Sequence, residues 1–149
     1  MLNHLRYLPI SLFSLLCSLP AVGQVAQLTA EQLTNSGAGQ LGLGSADCAG
    51  VTALAEKDIA EQIPFLILRS GGAPVVYNTD KYFESSFGVF YYEEGCTGPS
   101  EDCMKRYNGR VFNYLEQKFG RAWRKRVRKD VVGYREWKKT NYRVPSVTR

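Results

Sequence analysis

The chain has almost no histidine, and this absence removes several kinds of chemistry. Its single histidine is His4, which lies in an N-terminal segment that we expect to be cleaved. A protein without histidine has no Ser–His or Cys–His nucleophile pair, no histidine-ligated zinc, and not the commonest general base near neutral pH. We therefore predict no catalytic residue, metal site or cofactor, and an enzyme would have to rely on carboxylates, lysine or tyrosine.

Long apolar runs are also lacking after the N-terminal segment. This segment carries a positive charge at Arg6, then an apolar stretch to Leu16, and it closes on Pro20-Ala21-Val22-Gly23. Such an order is typical of a secretory signal peptide, and the stretch is too short and too interrupted for a membrane span. We expect residues 1–23 to be a signal peptide, with cleavage near Gly23 and a periplasmic or extracellular mature protein without a transmembrane span.

Two other fates of this segment stay open. A bacterial lipoprotein would be cut just before Cys17, but that cut needs a small residue ahead of the cysteine, and Leu16 stands there. An uncleaved anchor is the second alternative.

Charge is divided along the chain. Residues 24–104 hold three basic and eleven acidic residues, a net charge of −8, whereas residues 105–149 hold fifteen basic and three acidic residues, a net charge of +12. Such polarity either neutralises itself on folding or presents a basic face to an anionic partner.

Apolar spacing, helix caps and breakers predict one α+β domain. Residues 24–46 are expected to form a flexible lead-in, residues 47–139 the globular domain, and residues 140–149 a polar tail. We expect a small three-stranded sheet covered by helices, ending in a long basic helical segment. The predicted strands are 65–68, 75–77 and 89–92, and the predicted helices are 46–62, 80–87, 100–119 and a further stretch after Gly120.

Three motifs together resemble a known family. Residues 80–89 read DKYFESSFGV, Tyr91-Tyr92 and Gly95-Cys96 follow, and residues 119–125 read FGRAWRK. These motifs resemble the FEKKY-domain proteins, small exported bacterial domains without an assigned activity. The match covers about residues 58–133, but the signature keeps only its ends, since Ser85 and Ser86 replace both lysines. The resemblance implies one domain after a signal peptide and no mechanism.

A basic cluster is the clearest candidate binding site. In a continuous helix, residues spaced by three, four, seven and eight positions share one face. Trp123 is expected in the core on another face, and the alternative for the basic face is simple solvation. Phosphate groups, anionic glycans or lipid headgroups are the ligands that such a face fits, whereas export argues against nucleic acid. The predicted anion- or partner-binding residues are Arg121, Arg124, Lys125, Arg128 and Lys129.

Three cysteines remain after the predicted cleavage: Cys48, Cys96 and Cys103. An exported protein is expected to form a disulfide, and an odd count leaves one thiol over. Cys96 and Cys103 are the predicted pair, because they bracket a short loop that runs into a helix. Pairing of Cys48 with Cys96 is the alternative.

Two further patterns have simple structural interpretations. Residues 37–42 read GAGQLG, which fits G-x-G-x-x-G, but a dinucleotide site needs a strand before this motif and a helix after it. Asp80 and Glu84 lie one helical turn apart, as in a capping or solvated pair.

We therefore expect a non-catalytic exported module that binds an envelope partner or an anionic surface. The alternative function is a small histidine-independent hydrolase or transferase that uses carboxylates near Glu93 and Glu94, beside the Gly95-Cys96 loop.

Overall fold

Helices dominate the fold. The structure is a computed structural model, and it describes residues 28–43, 48–69, 71, 73–93 and 98–141. The predicted signal peptide, Glu94, Cys96 and most of the polar tail lie outside the described residues. The elements are α1 (Ala30–Asn35), α2 (Gly37–Gly42), α3 (Val51–Ala60), β1 (Phe65–Leu68), α4 (Asp80–Phe87), β2 (Phe90–Glu93), α5 (Glu101–Phe119), a 3₁₀ helix (Ala122–Lys125) and α6 (Tyr134–Asn141).

The sheet has two strands in the part of the chain that the structure describes, not the predicted three. β1 and β2 pair in parallel, with Phe65 opposite Phe90 and Leu68 opposite Glu93. A parallel pair needs a crossover connection, and α4 lies within it. Residues 75–77 form no strand, because their polar backbone atoms are engaged by side chains. The N–H of Val75 donates to Glu93 Oε2 at 3.3 Å, and its carbonyl accepts from Arg128 at 2.7 Å.

At the other edge of β1, the segment around Val131 forms a single bridge to Leu68, and Asn108 of α5 adds side-chain hydrogen bonds beside it. Its side-chain Oδ1 accepts from the N–H of Ile67 at 2.8 Å. Its Nδ2 donates to the carbonyls of Ile67 at 2.8 Å and Val132 at 2.9 Å. Buried backbone groups need such partners, so the amide supplements the bridge at this edge of β1 and links it to the chain at Val132.

The core lies between α3, β1 and the inner face of α5. All four residues of β1 are buried, as expected for a continuous apolar run between Pro64 and the following turn. Helix α5 begins at the predicted cap, where Ser100 Oγ accepts from the N–H of Cys103, and it ends before Gly120 at a φ of 59°. Its buried stripe of Tyr107, Val111, Phe112 and Leu115 packs on the strand and on α3.

The segment expected to be a flexible lead-in contains two capped helices. Thr29 and Gln32 form a capping box at α1, and Ser36 caps α2. Ala38 and Leu41 are buried in the core cluster. The sequence pattern hides these helices because each has only six residues, too few to show an apolar period.

The basic segment after Gly120 is not one long helix, so this part of the prediction is wrong. It contains a four-residue 3₁₀ helix, and Val131 then bridges Leu68. Trp123 is buried, as predicted, and so are Val127 and Val131, but a tight turn followed by irregular chain places them there. The five basic residues therefore do not share one helical face.

Candidate anion-binding groove

A groove of about 700 Å³ lies between the residues around α4 and the segment that follows the 3₁₀ helix. Tyr77 and Tyr82 line the groove, and both residues are at least half exposed. Three exposed cations line it as well: Lys125, Arg126 and Lys129.

None of the three cations forms an ion pair with any residue within the described ranges. Their charges therefore face solvent across the groove, where an anion would meet them without displacing an internal partner. Arg121 of the predicted site is exposed as well, but it does not line the groove.

Arg128 lines the groove but is not a free binding group, because its guanidinium is already paired within the protein. Its guanidinium bonds Asp80 Oδ2 at 3.1 Å and Asp130 Oδ2 at 2.5 Å, and only 8% of its side chain is exposed. It also stacks against the ring of Tyr77, 4.7 Å from the centroid. The hydrogen bond that the Arg128 guanidinium donates to Asp130 raises the pKa of Arg128 and lowers the pKa of Asp130. Its function in the groove is to hold Tyr77 in place.

Arg124 is also committed inside the protein. It pairs with Glu116 at 2.8 Å, and only 8% of its side chain is exposed. Its guanidinium lies 5.1 Å from the centre of the Trp137 ring, and Trp123 Nε1 donates to the same Glu116 carboxylate. Of the five predicted binding residues, the structure thus brings only Lys125 and Lys129 to the groove as free cations.

Tyr77 and Tyr82 line the groove but are not among the residues that the sequence analysis predicts as site residues. The position of Tyr82 on α4 could have indicated its exposure. The buried residues of this helix are Asp80, Phe83 and Phe87, and Tyr82 is not one of them. An exposed aromatic ring on a short amphipathic helix is a candidate contact residue.

The carboxylates next to the groove have internal partners. Asp80 Oδ2 accepts from the N–H of Tyr77, and Glu84 Oε1 accepts from the N–H of Tyr91 at 3.0 Å. Burial raises the pKa of Glu84, and the charge of Asp80 adds to this effect. Glu93 holds the N–H of Val75, and these three acids line a smaller pocket of about 310 Å³. The bond from the N–H of Tyr77 fits the capping interpretation of Asp80, whereas Glu84 links α4 to β2.

No group of three potential metal ligands occurs among the residues that the structure describes. In the same part of the chain, no helix combines the length and apolar character needed to cross a membrane.

The G-x-G-x-x-G segment forms α2, and a carboxylate of the protein already occupies its N-terminus. Fully buried Asp58 accepts from the N–H groups of Gly37 at 2.6 Å and Ala38 at 2.9 Å, and from the hydroxyl of Tyr107. Burial raises the pKa of Asp58, although each of these three hydrogen bonds lowers it. The motif is therefore a packing motif here.

The disulfide joins Cys48 to Cys103, with their Cα atoms 5.0 Å apart. The predicted Cys96–Cys103 pairing is therefore wrong, because Cys103 faces the segment before α3 from the first turn of α5. The alternative partner for Cys48 is excluded by the same bond. Cys96 itself lies outside the described residues.

No family model matches the chain, and comparison with curated proteins and with solved structures likewise finds no match. The resemblance to the FEKKY-domain proteins therefore stays a prediction.

Proposed function

We propose that the protein is a non-catalytic module that binds an anionic partner through the groove. The observation that carries this proposal is that three exposed cations, Lys125, Arg126 and Lys129, line one groove with Tyr77 and Tyr82 and form no ion pair with the residues that the structure describes. Cations supply attraction to a negative ligand, and exposed tyrosine rings supply a flat contact surface at a small entropic cost.

Binding to a soluble polyanion, dextran sulfate, tests this proposal over a range of salt concentrations. We expect affinity to fall steeply with salt, because exposed charges are screened beyond about 10 Å at 0.1 M salt. The variant K125E/R126E should lose at least about tenfold in affinity, since each reversal replaces attraction by repulsion.

The matched control is R106E/K139E, which also reverses one lysine and one arginine. Both control residues are exposed and neither lines the groove. Equal loss in the two variants would reduce the interaction to net charge and would refute the groove as the site.

We further propose that the module is exported after cleavage near Gly23 and acts in the periplasm or outside the cell. The disulfide supports this location, because disulfides form and persist in oxidising compartments. N-terminal sequencing of the protein recovered from its producing cells tests the proposal, and a chain that retains Met1 would overturn it.

A further inference from the structure

An apolar strip borders the cationic groove. Val75, Val76 and Tyr77 follow one another in the segment before α4, and Tyr82 adjoins them in the groove through Tyr77. The exposed fractions are 48% for Val75, 85% for Val76, 51% for Tyr77 and 65% for Tyr82. In the described part of the chain, Leu43 is the other large apolar residue with this degree of exposure, at 80%.

The strip is held open by bonds on its inner side. Val75 is tied through its N–H to Glu93 and through its carbonyl to Arg128, and Tyr77 lies against the guanidinium of Arg128. These contacts fix the backbone while the side chain of Val76 faces solvent. Exposed apolar residues beside cations are the pattern of a surface that meets a membrane.

The charges around the apolar strip indicate which kind of partner would bind there. Beyond the three groove cations, Lys81 is exposed on α4, with its ammonium group 5.5 Å from the centre of the Tyr82 ring. Four cations therefore lie on the groove or beside its tyrosines. Lysine and arginine are attracted to anionic lipid headgroups, and tyrosine is enriched at the boundary between headgroups and acyl chains.

We infer that the groove and its apolar strip dock on the surface of an anionic lipid bilayer, with Val76 and Tyr82 entering the interface. This inference rests on the proposed function and specifies its partner. The contact is peripheral: headgroup phosphates face Lys125, Arg126 and Lys129, and the valine and tyrosine side chains leave water.

Co-sedimentation of the full chain with phosphatidylcholine vesicles, with and without phosphatidylglycerol, tests the inference. We expect binding only when phosphatidylglycerol is present. The variants V76S and Y82S should each lower partitioning by about threefold or more, because each removes buried apolar area from the interface. L43S is the matched control, and it should stay within about twofold of wild type. All variants share the same N-terminal residues, so the comparison with wild type is made at an identical N-terminal sequence.

Two further arms separate the inference from the proposed function. Soluble glycerophosphoglycerol should not displace the protein from vesicles, because a free headgroup offers no interface for Val76. If dextran sulfate binding survives and vesicle binding is absent, or if V76S and Y82S equal wild type, the inference is wrong and the anion site stands. If K125E/R126E binds dextran sulfate and the vesicles as wild type does, both the proposed function and the membrane inference are wrong.

A second copy of the chain is the competing occupant of the strip. Light scattering of wild type and V76S decides this point. A dimer in wild type that V76S converts to monomer would overturn the membrane inference, whereas monomers in both samples support it.

Discussion

Asn108 is the residue on which the edge of β1 depends. The N–H of Ile67 and the carbonyl of Val132 both rely on its side-chain amide, while the carbonyl of Ile67 has a second donor in the N–H of Val132. Removing the amide thus leaves one buried donor and one buried acceptor without partners. An unmade buried hydrogen bond costs about 1–3 kcal/mol per group.

We predict that N108A lowers the free energy of unfolding by about 3–5 kcal/mol, measured by urea denaturation. Asn113 supplies the control, because it lies on the same helix, is exposed, and its side chain accepts one hydrogen bond within the described residues, from Trp137 Nε1 at 2.9 Å. N113A should cost under about 1 kcal/mol. Similar losses in both variants would contradict the assigned role of Asn108.

The limits of sequence reasoning are visible at this residue. Asn108 lies on the predicted helix, and the pattern of Tyr107, Val111 and Leu115 places it near the core. Its bond to Ile67 links positions 41 residues apart, and no local period reveals which backbone atoms a side-chain amide will meet. The same reason explains why the sequence does not reveal the bond from Arg128 to Asp80, which is 48 residues away. Its other partner, Asp130, is only two residues away, but a continuous helix would place these two side chains on different faces.

Among the elements, those with strong local signals were predicted well. β1 is a continuous apolar run between breakers, α4 ends at Gly88 in the left-handed region, and α5 begins at Ser100. Residues 75–77 have the β-branched composition of a strand, but β-propensity depends on a neighbour to pair with. Here Glu93 and Arg128 take those bonds, and the element remains an exposed extended segment.

Helix α2 offers a prediction about close packing. A Cβ atom added at Gly37 would overlap the carbonyl group of Leu54 in α3, whereas one added at Gly109 in α5 meets nothing within 4 Å. We expect G37A to destabilise the protein by about 1–3 kcal/mol through overpacking. G109A should stabilise it by about 0.5–1 kcal/mol through helix propensity.

Thermal and urea unfolding of the two alanine variants measure these changes. Because both substitutions are glycine to alanine in a helix, the propensity gain is common to them. Stabilisation by G37A would show that α2 does not pack on α3 as described.

At the scale of the whole molecule, the disulfide closes a long covalent loop. Cys48 and Cys103 are separated by 55 positions, and the loop between them contains both strands and α4. In the chain-entropy model, a loop of this length stabilises the native state by about 4 kcal/mol. We predict a loss of this size in C48S/C103S, measured by urea denaturation.

Peptide mapping of the oxidised protein provides the independent check. We expect a linked pair of peptides that contain Cys48 and Cys103, which reduction separates. A linked pair that contains Cys96 and Cys103 would refute the observed connectivity.

Acid should act on the molecule partly through Asp130. The hydrogen bond from Arg128 lowers the pKa of this carboxyl. A group with a lowered folded-state pKa adds stability above its unfolded pKa of about 4, and this stability is lost as the pH falls through the folded value. Asp58 and Glu84 have raised pKa values, so their titration changes the stability with the opposite dependence on pH. A comparison of wild type with a variant at Asp130 cancels this effect, because both proteins contain Asp58 and Glu84.

We therefore predict that the difference in unfolding free energy between wild type and D130N is largest near neutral pH and shrinks below about pH 4. Urea denaturation of both proteins across this range measures the difference. A gap that is constant with pH would show that Asp130 titrates alike in the folded and unfolded states.

The carboxylate of Asp58 competes with any dissolved anion for the N–H groups of the glycine motif. It is tethered to the same chain as the N–H groups of Gly37 and Ala38 that it occupies, so it acts at an effective concentration of about millimolar or above. A dissolved phosphate would have to exceed that concentration and also displace the hydroxyl of Tyr107. The G-x-G-x-x-G motif thus forms an anion site whose ligand is a carboxylate of the same chain, Asp58.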